Sequence, residues 1–155
     1  MRMTDEEWKK QRIDEWRKVL LGDPDPKKPS EAASTLGEGY GDYEGLSQVL
    51  ATEHDSGVRK YIALGLGHTK NINAFTPLRS LLNDSSVTVR GNTIHAIEEL
   101  TTYALQDSLP INHPVRRDFR LQVIETLSHV VQRELNPNIC KLAESLRLYL
   151  LSITK

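Results

Sequence analysis

The 155-residue chain carries 20 Lys and Arg residues against 21 Asp and Glu, with 38% hydrophobic and 26% charged residues; this is a globular balance, at a length that buries a core without disulfide or metal staples. The net charge of −1 lacks the cationic surplus of a protein that holds nucleic acid through phosphates, so nucleic acid is not expected as a partner. Cys140 is the only cysteine, which excludes an internal disulfide and a thiolate zinc site. No apolar run approaches the ~18–20 residues of a membrane span, and the charged stretch Met1–Arg12 lacks the apolar core of a secretory signal. A cytoplasmic location is therefore expected.

Apolar residues fall at helical spacing from the start of the chain. Thr4 and Glu7 predict a capping box, after which Trp8, Ile13, Trp16, Val19 and Leu20 form one stripe and Gly22 ends the helix. Pro24, Pro26 and Pro29 break the chain before a second helix over about Ser30 to Glu38, and Gly39, Gly41 and Asp42 make the next turn. A third helix runs from about Tyr43 to Thr52 with Leu46, Val49 and Leu50. Asp55 or Ser56 caps a fourth that ends near Gly67. Asn73 is expected to cap a fifth through Leu78, Leu81 and Leu82, and Ser85 or Ser86 to start a sixth that reaches Tyr103 or Leu105. Asn112 or His113 before Pro114 opens a seventh to about Glu134, and Asn136 before Pro137 opens a last one to about Ile153. The expected fold is all-α.

Within this series the residues repeat. Val58-Arg59 returns as Val89-Arg90, an offset of 31; in that register Ile62 matches Thr93, Ala63 matches Ile94 and Leu66 matches Ile97. Thirty residues back, Leu66-Gly67 matches Leu36-Gly37 and Ala63 matches Ala33. The unit is a helix, an acidic turn and a second helix. One such hairpin cannot bury its apolar stripe alone, whereas stacked hairpins cover each other's faces.

The stretch Asp55 to Arg59, then Ala63 to Gly67, Leu78, Leu81-Leu82, Asp84 and Val89-Arg90 resembles the short HEAT-like repeats first associated with phycobilin lyase subunits. The resemblance implies a short right-handed α-solenoid of about four hairpins, armadillo-like in its stacking, in a single domain over 1–155 with units of about 4–38, 42–67, 73–105 and 113–153. It also implies a structural ladder in which Arg59 and Arg90 pair with the Asp of a neighbouring turn, such as Asp55 or Asp84. Glu98 stands where that repeat usually has glycine. Thr76-Pro77-Leu78 occurs once without the histidine and alanine of an ankyrin repeat, and no tetratricopeptide pattern is present.

The inner helices of a solenoid line its concave face. With Val58, Ile62, Gly65 and Leu66 toward the core, helical spacing turns Lys60, Leu64 and His68 outward, and the next unit presents Asn92, His95 and Glu99. These six residues are the candidate partner-binding surface. They belong to transverse rows of which Glu38, His68 and Glu99 form one, and a histidine between carboxylates is the single place where a metal or a base is conceivable. The five histidines are otherwise scattered, and no phosphate-cradling loop, GxSxG or HExxH motif occurs. No catalytic, cofactor or metal residue is assigned, and the chain is not expected to be an enzyme. Cys140 reads as a buried structural thiol, and Arg116, Arg117 and Arg120 as a solvated basic face. The segment from Gln106 to Pro114, with Leu109, Pro110 and Ile111, interrupts the repeat and is an alternative interaction edge. The expected role is a protein-binding scaffold or adaptor. Two alternatives are a subunit or chaperone of a bilin-attachment system, implied by the resemblance alone, and an immunity or inhibitor protein that neutralises a toxin.

Overall fold

Backbone N–H groups at a helix start have no partner within the helix, and at several helices of this chain a nearby side chain supplies one. The computed structural model describes residues 2–22, 27–106 and 113–153; Pro24, Pro26, Asn112 and the expected edge at Leu109, Pro110 and Ile111 lie outside the described residues. Helix α1 (Asp5–Gly22) opens on the Thr4 capping box. The Glu7 amide donates to the Thr4 hydroxyl oxygen at 3.2 Å and the Thr4 amide donates to the Glu7 carboxylate at 2.8 Å. Asp42 accepts from the Gly45 amide ahead of α3 (Tyr43–Thr52), and Asp55 accepts from the Val58 amide ahead of α4 (Ser56–His68). Helix α5 (Phe75–Leu81) follows a 3-10 turn, Ile72–Ala74, that Asn71 caps in place of Asn73, whose own amide is the donor. Helix α6 (Val87–Gln106) starts after Ser86, and α7 (Pro114–Arg133) starts after His113, which makes no side-chain cap. Asn136 accepts from the amides of both Asn138 and Ile139 ahead of α8 (Pro137–Ser152). Truncating it, Asn136→Ala, is expected to lower unfolding stability by about 1 kcal/mol, measurable by urea denaturation; an unchanged midpoint would deny the cap its role.

The second helix departs from its expected start. Helix α2 (Lys28–Ser34) carries Pro29 inside its first turn, where the missing N–H costs nothing, and it passes into a π-helical turn, Thr35–Gly39. That wider turn ends where Gly41 takes a positive φ of 61°, a conformation that suits glycine.

Helix α1 packs on α2, α3 on α4, α5 on α6 and α7 on α8, while α2, α4, α6 and α8 form a row in which each contacts the next. The eight α-helices among the described residues, with no strand, are consistent with an α-solenoid. One buried cluster threads the row from Leu20 to Leu150, and its register is translational: Leu36, Leu66 and Ile97, the matched repeat positions, are all fully buried. The closest approach is backbone to backbone. A Cβ on Gly65 would sit 2.5 Å from the carbonyl oxygen of Ala33, and one on Gly37 would overlap the Gly65 carbonyl. Glu98 escapes this constraint. At Gly67 the next helix presses Ala96 to within 2.8 Å of where a Cβ would lie, whereas the Glu98 side chain is half-exposed in an open groove.

Candidate functional site

A groove of about 620 Å³ crosses the exposed side of α4 and α6. Its α6 wall arises from helical spacing: His95, Glu99, Thr102 and Gln106 recur every three or four residues on the face opposite the buried Ala96, Ile97 and Leu100. The α4 wall is the C-terminal turn with Gly67 and His68, continued by Lys70, and Glu38 reaches it from the π-turn after α2. The groove therefore draws residues from three successive units. His68 and Glu99 meet directly, Nε2 to Oε2 at 2.9 Å, in a bridge between α4 and α6. His95 Nδ1 lies 3.7 Å from Glu98 within α6. Lys70, at a positive φ of 56°, places its ammonium 5.7 Å from the centroid of the Tyr103 ring.

Of the six residues expected on the concave face, His68, His95 and Glu99 line this groove. Lys60, Leu64 and Asn92 do not. Lys60 lies with its ammonium 4.3 Å from the centroid of the Tyr61 ring, Leu64 is half-buried one turn before His68, and Asn92 donates its side-chain amide to the Thr88 carbonyl of its own helix. Lys70 and Tyr103 are the residues that sequence reasoning passed over. Tyr103 was within reach, since 92, 95, 99 and 103 continue one helical stripe; Lys70 was not, because its place depends on the turn that leaves α4. Pairs at this exposure add about 0–1 kcal/mol each to stability, so they act as surface groups more than as structural struts.

The arginine ladder pairs Arg59 with Asp84 of a neighbouring turn, as expected, but Arg90 takes a glutamate and Asp55 is not a rung. Arg59 donates Nε and Nη2 to the two carboxylate oxygens of Asp84 at 2.7 and 3.0 Å. Arg90 does the same to Glu134 at 2.7 and 3.0 Å, and Arg17 to Asp42 at 2.9 and 2.7 Å. Asp55 takes no part in the ladder among the described residues; its carboxylate is committed to the Val58 amide. Asp84 meets Arg90 only through its backbone carbonyl, which accepts from Nη1 at 2.8 Å, and the Arg59 Nη1 donates likewise to the His54 carbonyl at 2.6 Å. The guanidinium groups of Arg59 and Arg90 thus each clip the turn before their own helix to the turn of the following hairpin. The two acids also accept an amide two residues on, Ser86 for Asp84 and Asn136 for Glu134. Glu53 repeats that device with the Asp55 amide. An acid at the same place in every turn was the signal that identifies Glu134.

The guanidinium of Arg59 holds the Asp84 carboxyl below its usual 3.8, and Arg90 holds Glu134 below its usual 4.5; in both, burial opposes the shift and the hydrogen bonds outweigh it. The residues that carry these strong pairs face the turns, not the groove. A family model described as HEAT repeats matches residues 13–98. None of the curated proteins compared matches the chain.

Proposed function

From the membership of this chain in the HEAT-repeat family, we propose that it is a non-catalytic protein-binding scaffold that holds its partner on the concave face of a right-handed α-solenoid of about four hairpins. HEAT repeats are commonly protein-interaction scaffolds, and the observation that carries the reading here is the groove itself. Three successive units contribute half-exposed polar side chains to one open depression, with Glu38, Glu98 and Glu99 set against Lys70. Rigid inner helices present these groups with little ordering left to do on binding, which favours affinity. The partner would lie across the row and touch each unit in turn. His68 is engaged with Glu99, and no hydroxyl or thiol among the described residues donates a hydrogen bond to it, so the pair is read as a contact point and not as a base. No helix among the described residues is long and apolar enough to cross a membrane, and a cytoplasmic site of action is part of the same proposal.

Affinity capture from the source cell, run in parallel with wild type and with a Glu98→Lys/Glu99→Lys double variant, tests the reading. Both side chains are more than half exposed, so the fold and the helical circular-dichroism signal should be unaffected. Capture of the proteins retained by wild type is expected to fall at least tenfold, about 1.4 kcal/mol of binding. Equal recovery by both forms would remove the groove from the binding surface. The finer assignment to the phycobilin-lyase type of these repeats rests on the sequence resemblance; added bilin should then produce a shifted visible band, and an unshifted spectrum rejects it.

A further inference from the structure

Helix α1 outruns the elements it packs on. It has 18 residues, whereas α2 has seven and its π-turn another five. Ile13 is the first residue of α1 packed against the core cluster, and every described residue from 2 to 11 is exposed. About 10 Å of helix, capped by Thr4, therefore stands clear of the hairpins. Trp8 sits in the middle of it at 55% exposure, outside the buried stripe that the helical period predicted for it. So short a stretch of helix is marginal in water without a packed face, and a tryptophan is a large apolar area to leave wet.

Helical spacing decides which residues share the Trp8 face: Thr4 and Asp5 on the N-terminal side, Gln11 and Arg12 on the other. Asp5 and Arg12 lie on the same flank of that face, because seven residues are close to two full turns. Asp5 makes no ion pair among the described residues, and Arg12 is held by Glu15 of its own helix at 2.8 Å, an exposed pair that is easily exchanged. A parallel copy would set Asp5 on Asp5 and Arg12 on Arg12. An antiparallel copy, related by a two-fold axis beside Trp8, instead sets each Asp5 opposite the second copy's Arg12 and each Thr4 opposite Gln11, with the two Trp8 rings meeting at the axis. The bodies do not collide. Packing begins beyond Arg12, four residues from the axis, so the two bodies stay about 12 Å apart along the paired helices.

We propose that the free end of α1 is a self-association surface on which a second copy of this chain docks antiparallel, with Trp8 at the two-fold axis and Asp5–Arg12 pairs on either side of it. The contact spans about 12 residues of helix per copy around one aromatic, which places it among the small, transient interfaces. Charge sets its direction and register, and the tryptophan pair supplies most of its apolar burial. The groove lies on α4 and α6, so the pairing leaves it open and stands or falls apart from the protein-binding reading.

Sedimentation equilibrium of the full chain between about 10 µM and about 1 mM reads the association. The mass is expected to rise from 17.6 kDa toward twice that value, with a blue shift of tryptophan emission as Trp8 leaves water. Trp8→Ala removes an exposed side chain, should leave the helical circular-dichroism signal unchanged, and is expected to stay monomeric. Asp5→Arg and Arg12→Asp should each weaken association by about tenfold or more, since each sets like charges together. Their equimolar mixture is the decisive arm. Asp5→Arg carries a cation at both positions and Arg12→Asp an anion at both, so only the mixed dimer restores two opposite-charge pairs. It should associate to within about threefold of wild type, which a variant with a merely frayed helix end would not do. A chain that stays monomeric at about 1 mM, or a mass rise that survives in Trp8→Ala, would overturn the surface; variants that remain monomeric when mixed would overturn the antiparallel register.

Discussion

Replacing Gly65 with alanine is expected to destabilise the fold by about 3 kcal/mol, the upper end of the usual range for overpacking. Alanine is the better helix former by ~1 kcal/mol, so propensity alone predicts the opposite sign. The overlap wins because of what the new methyl meets. It would lie 2.5 Å from the carbonyl oxygen and 3.0 Å from the carbonyl carbon of Ala33, both backbone, with a Leu46 methyl at 3.2 Å as the remaining wall. A side chain can rotate away, but a helix backbone can move only with its whole hairpin. For a chain of this length the loss corresponds to a fall of about 9 °C in the thermal midpoint, a large part of the ~5–15 kcal/mol that holds a domain together. Gly22→Ala is the matched control. Nothing lies within 4 Å of its added methyl, so stability should hold or rise by a few tenths of a kcal/mol. If Gly65→Ala melts with wild type, the close seam between α2 and α4 is not a feature of the protein in solution.

Asp84→Ala should be nearly as damaging, with a loss of about 2–3 kcal/mol. The carboxylate is 8% exposed and Arg59 is 15% exposed, so the truncation leaves a largely desolvated guanidinium and an uncapped Ser86 amide. Arg59→Ala alone, and the double variant, complete a cycle. A coupling energy of 1 kcal/mol or more is expected, and additivity would mean that the fork contributes nothing beyond its separate parts. The pH dependence follows from the direction of the shifts. Asp84 and Glu134 have lower pKa values folded than unfolded, so the unfolded chain takes up their protons first as pH falls. Their contribution is complete above the ordinary carboxylate range and is lost as the pH drops below 4.5 for Glu134 and 3.8 for Asp84 toward their depressed folded values. Stability measured by denaturant titration should therefore be flat from pH 7 to about 5 with respect to these groups and decline below. The Asp84→Asn/Glu134→Gln double variant should start lower and show a shallower acid limb. An acid limb of wild-type steepness in that variant would assign the transition to other carboxylates.

The ladder also bears on how the groove works. Because Arg59 and Arg90 tie consecutive turns together at the end of the row remote in sequence from His68 and Glu99, the inner helices are held at one edge by charge-assisted forks and in the middle by glycine contacts. The groove lies near the other ends of α4 and α6, where His68 and Glu99 bridge the two helices. A partner would thus meet a face that is fixed in spacing but soft in its side chains.

Much of the architecture was legible in the residues alone. The helical period, the caps at Thr4, Asp55 and Asn136, and the recurrence of Leu36, Leu66 and Ile97 are local or translational signals, and a period survives whatever the chain packs against. The translational offset also placed His68 beside Glu99. Sequence could not show which acid each arginine takes, because the fork spans 25 residues in one unit and 44 in another, so no fixed spacing encodes it. Nor could it separate Arg117 from Arg116 and Arg120. All three are basic and close together in the chain, and only the packing of α7 against its neighbours buries two of them while leaving the third in water. Side-chain type and spacing determine that helices form and which stripe turns inward; the energy of a buried charge or a backbone contact depends on distances between distant segments, and those exist only once the hairpins have stacked.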